Sequence, residues 1–191
     1  MKNCNSLSTN LKTTVSFSMP KFQYNDEIVY GHKRVGNNGR PRCSVHQCRI
    51  KVKLKAWIIE QLGGKDNLYQ IPEEINNFEE LYDHIKELLG TKIGCGIGLL
   101  ALYDISLRLG STRNIYPQKY VYLHAAPLES AKHLKSIGLI KVNKLSYRVE
   151  TSVFNKISGG LASADIEQVL CCYKKEIHKF TSTNFTVLKN L

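Results

Sequence analysis

The sequence predicts a mostly α-helical fold, a single-domain helical bundle in which two consecutive helices are joined by a glycine-rich hairpin, with a short β-hairpin near 140–155. Three observations point there. Phe78, Leu81, Tyr82, Ile85 and Leu89 recur at helical spacing, and so do Ile166, Val169, Leu170, Tyr173, Ile177 and Phe180. Residues 93–109 read IGCGIGLLALYDISLRL, a glycine turn that opens directly into an apolar helix. With 191 residues, 42% of them hydrophobic, the chain can bury one sizeable core.

Residues 1–20 are rich in Asn, Ser, Thr and Lys with no periodic apolar face, which makes them a loose arm, and residues 21–191 then form the domain. GHKRVGNNGRPR, from Gly31, has the composition of a loop. In CRIKVKLKAWIIEQLGG, Ile50, Leu54, Trp57, Ile58 and Leu62 fit a helix ended by Gly63, while Ile50, Val52, Leu54 and Ala56 alternating with lysines fit a strand. The length of the apolar pattern and its closing glycines favour a helix over residues 44–62.

Asn77 followed by Glu80 marks the start of the first hairpin helix, and Gly90 ends it. Gly94, Gly96 and Gly98 flank the turn, where glycine can take a positive φ and let a phosphate approach the main chain without meeting a Cβ. The next helix begins at once, so its unpaired amides and positive dipole end face the same point. Leu100, Leu102, Ile105 and Leu109 supply its buried side, and Ala101 is small where the two helices cross. Residues 138–160 show weak alternation at Val142, Leu145, Tyr147 and Val149, the basis of the expected β-hairpin. In the last helix Ser163 is the expected cap, with Asp165 in the first turn.

GIGLLA resembles the helix-hairpin-helix family, whose pattern is Gly, hydrophobic, Gly, two variable residues, Ala. The similarity spans a core of residues 77–138. It implies a backbone grip on nucleic-acid phosphate by Gly94, Gly96, Ile97 and Gly98 with Lys92 beside them. It also extends to the DNA glycosylases of that superfamily, which follow the hairpin with a Val-Asp-x-His segment and a further helix; here Val121, Tyr122, Leu123 and His124 precede Pro127. Leu100 stands where bifunctional members place their Schiff-base lysine, and Tyr122 where the catalytic aspartate belongs, so the resemblance implies the frame without the glycosylase reaction. The cysteine spacing of an iron-sulfur site is absent, since Cys171 and Cys172 are adjacent.

An enzyme of another kind would draw on Asp104, Tyr122 and His124 meeting in a cleft beside the hairpin, with Tyr122 stacking on a base and His124 moving protons. The competing reading pairs Asp104 with Arg108, four residues on, as a structural ion pair. Cys43, His46 and Cys48, with His32 upstream, carry zinc-type donors at a spacing unlike the common zinc knuckles, so no metal is expected. No cofactor is expected either, beyond a monovalent cation at the hairpin.

The formal charge of +11 and pI of about 9.4 favour an anionic partner. Ile28 to Ile59 holds no acidic residue, and there Lys33, Arg34, Arg40, Arg42, Arg49, Lys51, Lys53 and Lys55 form the second expected phosphate-binding element. The expected partner is nucleic acid, DNA ahead of RNA, and not a membrane, because no apolar window is long enough to span one. The start of the sequence lacks the apolar core of a secretory signal, which points to the cytoplasm and to reduced cysteines. A different functional class stays open, a protein-interaction or defence component in which the hairpin serves only to pack helices.

Overall fold

A computed structural model describes residues 22–30, 34–35, 41–42 and 50–191. The fold is mostly helical. Helices α1 (Asn25–Tyr30), α2 (Val52–Gln61), α3 (Phe78–Leu89) and α4 (Leu99–Ser111) belong to one compact unit that ends at Tyr116, together with a ribbon of β1 (Arg34–Val35) and β2 (Pro41–Arg42). Pro117–Leu191 belongs to the other, with β3 (Tyr120–Tyr122), α5 (Ala125–Ser136), β4 (Arg148–Glu150), α6 (Asn155–Ser158), α7 (Ser163–Cys172) and α8 (Lys174–Ile177).

In the first unit α3 starts as its sequence predicts. Asn77 Oδ1 accepts from the Glu80 amide at 2.9 Å, satisfying one of the free donors of the first turn. Phe78, Leu81, Tyr82, Ile85 and Leu89 are all buried, and Phe78 meets Tyr103 of α4 edge to face with ring centroids 5.8 Å apart. Helix α4 is buried around its whole circumference from Ala101 to Gly110. Gly110 is required there, because a Cβ would lie 2.3 Å from the Ile115 carbonyl oxygen.

Helix α2 is shorter than the expected 44–62; its first described turn begins at Val52, and residues 44–49 lie outside the described residues. Helix α1 is held by Asn25, which is fully buried. Asn25 Nδ2 donates to the carbonyls of Leu62 at 2.6 Å and Gly64 at 2.9 Å, and Oδ1 accepts from the Tyr69 amide at 2.8 Å. One side chain thus ties the start of α1 to the loop that follows α2.

In the second unit β4 falls inside 140–155, but its partner is β3, in antiparallel register with Val121 opposite Val149. The segment does not fold back on itself because Val121 and Val149 both enter the core, alongside Leu134, Phe154, Ile166 and Leu170. Two expectations for the last helix need correction. Its cap is Ala162, not Ser163, whose hydroxyl is drawn instead to the Gln118 carbonyl at 2.6 Å. The helix also breaks at Tyr173, just after the Leu170 carbonyl that accepts from Ser130 of α5 at 2.7 Å, and α8 begins at Lys174.

Burial raises the Asp165 carboxyl above its ordinary 3.8, and a hydrogen bond from the Ala162 amide pulls it back down. A carboxyl so raised contributes stability in full below the unfolded value of about 3.8 and loses it as pH rises through the folded value. Asp165→Asn keeps an acceptor for the amide and removes the buried charge. Its denaturation midpoint is therefore expected to gain on the parent's between pH 3 and pH 7; an equal difference at both pH values would contradict this.

Candidate nucleic-acid interface

The hairpin is built by backbone hydrogen bonds. Beyond α3, Gly90–Lys92 makes one tight turn, and the Cys95 and Ile97 amides both donate to the Lys92 carbonyl at 3.1 Å. The Gly94 amide donates to Ile97 O at 2.8 Å, and the buried Ile97 side chain pins the loop from below. Gly94 and Gly96 have φ of +82° and +134°, values that favour glycine.

Gly96 and Gly98 differ in what makes them glycine. A Cβ on Gly96 would lie 2.9 Å from Leu54 Cδ2 of α2, a side-chain end that can shift, so it is the φ of +134° that favours glycine there. Gly98 caps α4 with φ −80° and ψ 163°, a conformation open to any residue, and nothing lies within 4 Å of its Cβ position. No side chain caps α4, so the amides of its first turn are left at an exposed end between Gly98 and Leu99.

The Leu54 contact brings α2 against the hairpin, and Lys92 Nζ stands 6.0 Å from the centroid of the Trp57 ring. Lys51, Lys53 and Lys92 are exposed. Lys55 is not; it is 3% exposed, with Nζ 5.0 Å from the Tyr30 ring centroid. Arg34 is the register partner of Arg42 in the antiparallel β1–β2 ribbon. Lys33, Arg40 and Arg49 lie outside the described residues, as do His32, Cys43, His46 and Cys48. Among the described residues no group of three His, Cys, Asp or Glu side chains is placed to hold a metal.

The proposed catalytic residues are divided between the two units. Asp104 is buried on α4, where burial lowers the Arg108 guanidinium below its ordinary value and the Asp104 charge raises it back. Arg108 Nη1 also donates to the Ile28 carbonyl at 2.8 Å, so this side chain ties α4 to α1. In the other unit Tyr122 is buried on β3 opposite Arg148. His124 Nε2 lies 3.2 Å from Glu167 Oε1, an ion-pair distance without hydrogen-bond alignment.

No protein-family model, curated protein or solved structure matches the chain. From the sequence, Leu54 and Trp57 belong to the apolar stripe of a helix, with Leu54 also in the alternative strand. Their seat against the hairpin carries no local signal, since it depends on how α2 returns over a loop some 40 residues later. No helix among the described residues is long and apolar enough to cross a membrane.

Proposed function

We propose that the chain binds nucleic acid, DNA before RNA, by seating a phosphate on the amides at the start of α4, with Lys92 and the exposed lysines of α2 beside it. The observation that carries this reading is Gly98. Neither its conformation nor its packing calls for glycine, and the open space it leaves lies over uncapped amides. Glycosylase chemistry is no part of the reading, given Leu100 and Tyr122. Nor is a cofactor, apart from a monovalent cation at the hairpin.

Affinity for single strand, duplex and structured RNA, measured across salt, tests the proposal. Log affinity should fall linearly with log salt, and replacing Lys51, Lys53 and Lys92 together by glutamine should make the slope shallower by about 2 to 3. Absence of binding to all three nucleic acids at about 50 mM salt would overturn it. A second reading, a purely structural hairpin in a protein-interaction component, is favoured by the fit of Leu54 against Gly96. It expects no salt-dependent binding to nucleic acid.

A further inference from the structure

We infer that the Pro117–Leu191 unit carries a second phosphate-backbone surface of its own, formed by Lys135, Lys141 and Lys144; the inference rests on the nucleic-acid reading above, which draws only on the other unit. It starts from a charge asymmetry. From Ser130 to Val149 there is no acidic residue, while Lys132, Lys135, Lys141, Lys144 and Arg148 fall inside. The stretch runs from α5 through the loop behind it to β4.

The fold gathers three of these cations. Lys135 Nζ, at the end of α5, donates to the Asn143 carbonyl at 2.8 Å, so its ammonium lies against the loop, beside Lys144 and close along the chain to Lys141. Lys135, Lys141 and Lys144 are all exposed. The loop that carries the last two is anchored from below, with Leu139 and Ile140 buried in the core of this unit and Val142 and Leu145 packed against it. Its lysines therefore stand on the outer side of a fixed segment.

Folding does not call for this cluster. The negative end of α5 accounts for Lys135 but not for Lys141 and Lys144, which lie beyond it. Lysines that serve only solubility are interspersed with carboxylates, and here the nearest acids in the sequence are engaged elsewhere. Glu129 pairs with Lys174, and Glu150 accepts from the Ser152 hydroxyl at 3.2 Å. Like charges gathered without a counter-charge repel, and a polyanion relieves that repulsion. A lipid surface fits less well, because the large apolar side chains left exposed among the described residues, Tyr24, Val52 and Leu99, all lie in the other unit. Lysine contacts to phosphate position a nucleic acid without reading its sequence.

Lysine acetylation of the full chain, read residue by residue by mass spectrometry, tests the inference. The chain is compared free and saturated with whichever of single strand, duplex and structured RNA binds most tightly. Lys135, Lys141 and Lys144 should be protected about threefold or more, while Lys86 and Lys156, also exposed, keep their reactivity. Replacing the three by glutamine should make the salt slope shallower by about 2 to 3, and replacing Lys86, Lys156 and Lys175 should leave it unchanged. Full reactivity of the three beside protected Lys51, Lys53 and Lys92 would overturn the inference and leave the nucleic-acid reading standing. Equal slopes in the two triple variants would also overturn it, since net charge alone would then account for the loss. No binding of any of the three nucleic acids would overturn both. Should the glutamine variant fail to fold, the protection measured on the parent decides.

Discussion

Asn25→Asp should cost about 4 kcal/mol of stability, although it exchanges only an NH2 group for an oxygen. The Asn25 amide donates to Leu62 O and Gly64 O and accepts from Tyr69 N, all from inside the fold. A carboxylate keeps the acceptor, loses both donors and sets an oxygen against two carbonyls. Each buried partner left without its hydrogen bond costs about 1–3 kcal/mol, and the repulsion adds to that. The deficit should shrink in acid, since the protonated carboxyl regains one donor. Urea unfolding at pH 7 and pH 4, with exchange of the Tyr69 amide as a local probe, measures both effects; a loss under about 1 kcal/mol would mean that the clamp contributes little.

Gly98→Asp separates folding from binding. An aspartate at this N-cap position can accept from amides of the first turn of α4 and places a negative charge at the positive end of the helix, which should stabilise the fold by about 0.5–1 kcal/mol. The Cβ position is open, with nothing within 4 Å. The same carboxylate would occupy the proposed phosphate seat and repel a phosphate, so affinity for nucleic acid should fall on the order of a hundredfold. A higher thermal midpoint with unchanged affinity would return the hairpin to a packing role. A variant at Gly96 could not make this distinction, since its φ of +134° strains any other residue and disturbs folding first.

Local signals were legible in the sequence. The Asn77 cap, the apolar spacing of α3 and the glycine turn before α4 each depend on neighbours within a few residues, and the structure has them where the pattern places them. Features that depend on distant partners were not. The sequence shows Ser163 as a natural cap, but the Gln118 carbonyl draws its hydroxyl away. The stripe from Ile166 to Phe180 gives no sign of the break at Tyr173. The alternation near 140–155 locates a strand but not its partner, because pairing with Tyr120–Tyr122 is decided by which valines reach the core. At the candidate interface the glycines could be read from spacing alone, while the split between exposed Lys51 and Lys53 and buried Lys55 follows from how α2 packs, with Lys55 reaching Tyr30.

Burial of α4 on every side has a kinetic meaning for whatever meets its first turn. With Ala101–Gly110 buried the helix has little slack, so a phosphate bound as proposed would find the amides at its exposed start already aimed and need not wait for a loop to close. On the proposed reading, capture there would be governed by encounter, quickened by the charge of the chain and slowed by salt. Residence time is then set by the contacts around it, and an affinity lost by mutation there should appear in the dissociation rate.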